Sequence, residues 1–292
     1  MLTTKINKNI LITECSSDKK WMMLSDIHWD NPKCKRDILK KHLDMALEQD
    51  MGIVINGDFL CLMQGKWDPR RNKKDIRPEH NVHNYLDAVI EDAVDWWSPY
   101  MNNIAWIGYG NHETAIIKNT ETDPLQRFVD LSNYKNKSKT VTGGYGGWWK
   151  LQLKYKNHSS HAFNVKYYHG TGGGGPVTKG VIQNNRMGVM VSGADCIWMG
   201  HVHELYHVID GQESLDYTPK GGYKVKHRYV HHIRTAAYKE EYGYGDFGYH
   251  VEKGRPPKPI GGYILSFDYV RESEDGSTAN LLIPNFTQVR DH

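Results

Sequence analysis

Cysteine is scarce in this chain of 292 residues, and its spacing is uninformative. The four thiols, Cys15, Cys34, Cys61 and Cys196, form no CxxC pair, which argues against a disulfide framework and against a cysteine-based zinc site. Long apolar runs are missing too, since no stretch approaches the roughly 18–20 residues of a membrane-spanning helix. The opening residues, MLTTKINKNILITE, lack the apolar core of a secretory signal. The expectation is therefore a cytoplasmic protein with no membrane partner. Charge of one sign is also lacking. Thirty-seven Lys and Arg stand against thirty-four Asp and Glu, and a net charge of +3 neither demands nor excludes a polyanionic partner.

Histidine, by contrast, is plentiful: sixteen residues, of the type that most often ligates metals. With 39% hydrophobic residues the chain is long and apolar enough for a sizeable core. Short apolar runs at 20–28, 52–58 and 104–107, each stopped by polar residues or glycine, predict strands. Between them, residues 35–49 and 80–97 carry apolar side chains at helical spacing. This alternation predicts an α/β layered domain with a largely parallel sheet and right-handed crossovers. Ligands in such folds gather outside the carboxyl ends of the strands, and Asp26, Asp58 and Asn111 fall at or just past those ends.

The later half reads as β-rich. Strands are expected at 148–155, 162–168, 196–199, 223–238 and 262–270, with a turn at 157–160 and a helix at 177–191. No internal repeat or clean linker is evident. The expectation is one domain, with a core over about 20–210 and a β-rich extension over about 211–292.

Five short pieces stand in order: Asp26-Ile27-His28, Gly57-Asp58, Gly110-Asn111-His112-Glu113, His169 and Gly200-His201-Val202-His203. At this composition a D-x-H should arise by chance about once, a GHxH about 0.1 times and a GNH followed by an acid about 0.01 times. The first carries nothing alone. The two rare motifs, each following a short apolar run, carry weight.

The ordered set resembles the calcineurin-like metallophosphoesterase superfamily over roughly residues 21–206. The resemblance implies an αββα sandwich with an added β-rich C-terminal segment, and a hydrolase of phosphate esters. It implies Asp26, His28 and His203 as ligands of one divalent ion, Asn111, His169 and His201 as ligands of a second, and Asp58 as the bridge between them. Manganese is the first choice of ion, with iron, zinc or nickel as alternatives. His112 would be the general acid, with in-line attack on phosphorus by a metal-bridging hydroxide.

The residue types agree with this. Carboxylate, imidazole and amide oxygen suit borderline divalent metals, and seven such groups exceed the needs of one ion. A shared carboxylate permits two ions about 3.5–4 Å apart. His169 stands outside a multi-residue motif, and His158 or His161 could take its place.

One departure concerns the segment after Asp58. The phosphoprotein phosphatases carry GDxVDRG there, with an acid that orients the catalytic histidine and an arginine that grips phosphate. Here Phe59-Leu60-Cys61-Leu62 supplies neither, so nothing in the sequence names the group that orients His112. Residues 65–77 are rich in basic side chains, and Arg70, Arg71, Lys73 and Lys74 are candidate substrate-binding residues on the rim of the site. A basic rim bearing Trp67 could hold a DNA or RNA backbone, or be a solvated loop.

The glycine run at 170–175 formally fits GxGxxG, but Asp195 precedes an apolar run instead of ending one, which argues against a dinucleotide site. That run is read either as a loop whose backbone N–H groups approach a substrate phosphate or as a plain connection. His231 and His232 read as strand-capping residues. The leading expectation is a phosphodiesterase, nuclease or nucleotide-directed, with a phosphomonoesterase as the alternative. A non-catalytic metal-containing nucleic-acid-binding module is the competing class.

Overall fold

Some strands of this chain are buried along their whole length, whereas others are buried on one face only; the first kind leads into the site. The structure, a computed structural model, describes residues 2–7, 9–63, 75–155, 159–219, 221–242, 249–252, 254–274 and 277–291. In chain order the elements are β1 (Leu2–Asn7), β2 (Ile10–Ser16), β3 (Trp21–Leu24), α1 (Arg36–Glu48), β4 (Gly52–Ile55), α2 (Tyr85–Trp97), β5 (Ile104–Ile107), α3 (Asn111–Thr120) and α4 (Pro124–Asn136). They continue with β6 (Val141–Thr142), β7 (Gly146–Tyr155), β8 (Ser159–Tyr168), α5 (Val181–Met190), β9 (Cys196–Met199), β10 (Tyr206–Thr218), β11 (Gly222–Arg234), a single turn α6 (Tyr249–Glu252), β12 (Gly261–Glu274) and β13 (Ser277–Arg290).

The fold is α/β with two mixed sheets, ordered β1-β2-β7-β8-β9-β11-β10 and β13-β12-β3-β4-β5-β6. In the second, β3 to β6 are parallel and β12 joins β3 antiparallel. Side chains alternate across a strand, so a strand covered on both faces needs an unbroken apolar run. In β3, Met22 and Leu24 point into a core shared with Leu39 and Leu43 of α1, Val89, Ile90 and Trp97 of α2 and Phe128 of α4. Trp21 and Met23 point the other way, into an inter-sheet core with Trp106, Trp149, Tyr167, Trp198 and Tyr263. On the far side of the first sheet, Met187 of α5 packs against Ile197 and Val230. No helix among the described residues is long and apolar enough to cross a membrane.

One expectation needs correction. The helix expected from 177 starts at Val181, because Lys179 (φ 47°) and Gly180 (φ 78°) adopt left-handed backbone that no helix propagates. Beyond residue 211, β11 lies between β9 and β10 and β12 pairs with β3, so this part of the chain completes both sheets. The first sixteen residues are equally integral, since β2 pairs with β7 in parallel. The sequence reading also passed over α4, although Asp123 before Pro124 is a helix-start signal and its carboxylate caps the helix through Gln126 N at 2.9 Å.

Candidate metal centre

Five strand ends converge on one place. Asp26 and His28 follow β3, Asp58 follows β4, Asn111 opens α3 after β5, His169 follows β8, and His201 and His203 follow β9. Backbone hydrogen bonds lace these loops together: Asp26 N to Gly57 O and His28 N to Asp58 O, each 3.0 Å, and Gly200 N to His169 O at 2.9 Å. Asn56 ties one sheet to the other, its Nδ2 donating to the carbonyls of Tyr168 and Trp198, both at 3.3 Å.

The local backbone is costly. Ten described residues other than glycine have positive φ, and five of them are Asp26, His28, Asp58, His201 and His203, at φ 46–73°. Each such residue costs on the order of 1–2 kcal/mol. Clustering of this kind marks positions where side-chain direction outweighs local comfort. The motif glycines have a steric reason as well. A Cβ on Gly110 would lie 2.0 Å from Asp58 Oδ1, and one on Gly200 would lie 2.5 Å from Asp26 Oδ2.

The donors fall into two groups whose ligand atoms lie within 4.8 Å of one another: Asp26, His28 and His203, and Asp58, His169 and His201. His203 Nε2 is 3.5 Å from Asp26 Oδ1 and 3.4 Å from His28 Nε2. His169 Nε2 is 3.2 Å from Asp58 Oδ2, which in turn lies 3.9 Å from His28 Nε2. Asp58 thus faces both groups. Asn111 Oδ1 lies 2.8 Å from His201 Nδ1 and so completes the second.

Burial and charge say what this arrangement requires. Burial opposes ionisation of Asp58, yet His169, His112 and His28 together hold it well below the usual carboxylate range. Burial also works against a charged His169, but Asp58 and Asp26 overcome it and lift the imidazole to about 10. Burial, reinforced by His112, keeps His28 neutral, and burial with His169 does the same for His201. Two enclosed carboxylates therefore call for positive charge, met in part by a protonated His169, while His28 and His201 stay neutral.

The ring nitrogens are oriented in advance. His169 Nδ1 donates to Asn56 O at 2.9 Å, which turns Nε2 toward Asp58 Oδ2, 3.2 Å away. His201 Nε2 lies 2.9 Å from Gly172 O; a neutral ring donating there turns the Nδ1 lone pair toward Asn111 Oδ1. The donor set and its charge fit divalent cations.

His112 opens α3 beside Asn111 and is 8% exposed. Its backbone N–H donates to Asp58 Oδ1 at 3.0 Å, and its Nε2 lies 3.8 Å from Asp58 Oδ2. The ring is oriented by a backbone carbonyl, Cys61 O, which accepts from Nδ1 at 2.5 Å. That carbonyl is itself held. Buried Asp30 accepts the N–H groups of Cys61, at 2.5 Å, and Leu62, at 2.9 Å, and the Tyr85 hydroxyl donates to Asp30 at 3.0 Å.

Glu113 serves the same loop, accepting Leu60 N and Gly110 N at 2.8 Å each, while burial and Asp58 push its carboxyl up to about 8. Arg234, fully buried, donates to Gly200 O at 2.8 Å and Asn184 Oδ1 at 2.7 Å beneath the GHxH turn. Of these supports, the sequence reading noted only Glu113. Asp30 lies four residues past Asp26 and could be suspected; Arg234 is thirty-four residues beyond Gly200 and has no local signal.

Other expected residues are placed elsewhere. Arg70, Arg71, Lys73 and Lys74, like His158, lie outside the described residues. His161 packs against Tyr269 on β12, away from the cluster. The loop after His169 offers a carbonyl, Gly172 O, to His201. His231 and His232 sit within β11, where His232 Nε2 meets Asp210 at 3.0 Å. A further donor group, Glu79, His80 and Asp92, already has its positive charge: Arg36 lies 3.8 Å from both acids and Arg77 lies 3.8 Å from Glu79. No protein-family model matches the chain, and a search of curated proteins returns no match.

Proposed function

We propose that this protein is a metal-dependent hydrolase of phosphate esters, built on a sandwich of the metallophosphoesterase type. One observation carries the reading: seven oxygen and nitrogen ligands from five strand ends form two groups on either side of Asp58, with His112 Nε2 3.8 Å from the same carboxylate. Asp26, His28 and His203 would hold one ion, Asn111, His169 and His201 the other, and Asp58 both. Two such ions, manganese before iron, zinc or nickel, would supply positive charge against the phosphoryl oxygens and acidify a water for attack on phosphorus.

The chain's own residues do the rest. His169 and His201 are turned toward the centre by Asn56 O and Gly172 O, so their coordinating nitrogens are positioned in advance. With Nδ1 of His112 committed to Cys61 O, only Nε2 is left to deliver a proton, and it does so to the leaving-group oxygen. Asp58 Oδ2 lies 3.8 Å from that nitrogen.

Diesters are the preferred substrate class, with nucleic acids and nucleotides foremost. Phe59, Leu60, Cys61 and Leu62 are uncharged and buried, so these four residues supply no cation to grip a dianionic monoester. Glu113, which matches the GNHE of phosphoprotein phosphatases, is used up capping Leu60 and Gly110 and gives a monoesterase no support.

A panel in Mn²⁺ of bis-p-nitrophenyl phosphate, p-nitrophenyl phosphate, cyclic nucleotides and single- and double-stranded DNA tests this. Manganese-dependent turnover is expected, with the diester ahead of the monoester, and Asp58→Asn should lose bound metal and turnover together. Bound manganese without hydrolysis of any ester would leave the non-catalytic binding module as the reading.

A further inference from the structure

The centre described above uses no sulfur, yet a thiol lies within it. The Cys61 Sγ, one nitrogen of His28 and one of His112 lie within 4.8 Å of one another, and all three residues are buried. The Cys61 Sγ accepts a hydrogen bond from Asn31 Nδ2 at 3.4 Å. Enclosed His28 Nδ1 has no hydrogen-bond partner. Nδ1 of His112 donates to Cys61 O, which holds that ring beside the thiol.

His28 therefore belongs to two competing donor sets. With Asp26 and His203 it contributes to a group containing a carboxylate oxygen, which suits manganese. With Cys61 and His112 it contributes to two imidazoles and a thiol, the donors preferred by zinc and cadmium. Burial does not shield the second set selectively, because an ion that has reached His28 has also reached the sulfur.

We propose that His28, Cys61 and His112 form an inhibitory site for thiophilic divalent cations, zinc or cadmium, which draws His28 from the catalytic metal set and ties the His112 ring to the ion. A ring nitrogen that binds a metal cannot deliver a proton. Binding converts the thiol to a metal thiolate and releases one proton to solvent, with no change of oxidation state. Displacing the thiol proton near neutral pH takes an ion with high sulfur affinity. Manganese and magnesium lack that affinity, which gives the site its selectivity. The inhibitory effect rests on the phosphoesterase reading; the donor site itself does not.

Titration of the full chain with Cd²⁺ or Co²⁺ separates the two. The wild-type protein should develop thiolate-to-metal charge-transfer absorption, saturating near one equivalent, that Cys61→Ser and Cys61→Ala both lack. The other three cysteines remain as an internal control. Added to manganese-loaded protein with bis-p-nitrophenyl phosphate, Zn²⁺ should inhibit the wild type at concentrations at least about tenfold below those needed for either variant, the usual scale for losing one metal-site interaction. A charge-transfer band that survives in both variants, or equal zinc sensitivity in all three proteins, overturns the proposal. If the wild type hydrolyses no ester, the phosphoesterase reading fails, while the absorption band still decides whether the sulfur site exists.

Discussion

At the scale of single residues, His112 is the clearest case of a side chain whose role is set by the backbone. A carbonyl that accepts its Nδ1–H does what a carboxylate does elsewhere, and Asp30 does its work one step away by holding the amides of Cys61 and Leu62. His112→Ala should slow diesters with poor leaving groups by about 10²–10⁴ while affecting p-nitrophenolate release far less. Asp30→Asn should show the same pattern at smaller amplitude, with manganese binding retained, because it loosens the carbonyl without touching a ligand. Rate constants over a series of leaving groups check this; equal losses across the series would remove the acid role. The motifs made His112 readable as a candidate. Its orienting partner was not, since a carbonyl is present at every residue and leaves no mark in the sequence.

At the scale of elements, the short parallel strands were readable because burial on both faces demands unbroken apolar runs such as Trp21–Leu24 and Cys196–Met199. Two partners in the long hairpins, β10 and β13, were not. In β10, Asp210, Glu213 and Asp216 interrupt apolar residues that stay exposed, Ile209 at 52% and Leu215 at 71%, so no buried stripe announces the strand. At its base, His207 Nε2 lies 2.9 Å from His231 Nδ1, and the two rings stack beside Phe286. One shared hydrogen bond accommodates a donor and an acceptor, so a second proton breaks it. Burial first, then His207 and His232, hold His231 down to about 4 from its ordinary 6.5. The unfolded chain therefore binds this proton more readily, and stability should fall as pH drops from about 6.5 through about 4. Denaturant unfolding at both ends of that window should show His231→Phe losing less stability on acidification than the wild type. An unchanged difference would place the acid sensitivity in other groups.

At the scale of the whole molecule, the centre exists because two sheets present their strand ends to the same edge. The sequence showed which residues follow strands; it could not show that β11 inserts between β9 and β10 or that β12 closes on β3, because strand partners are chosen by distant packing. Arg234 arrives under the GHxH turn by that route, and Thr235, just past β11, meets Ser25 Oγ at 2.6 Å, tying the last third of the chain to Asp26. The central claim, that this edge holds two ions around Asp58, has one direct measurement. Anomalous difference maps from crystals grown in manganese should show two peaks about 3.5–4 Å apart, one among Asp26, His28 and His203 and one among Asn111, His169 and His201, with Asp58 touching both. Maps without peaks at those side chains, or a single peak that leaves Asp58 unbound, would contradict the account.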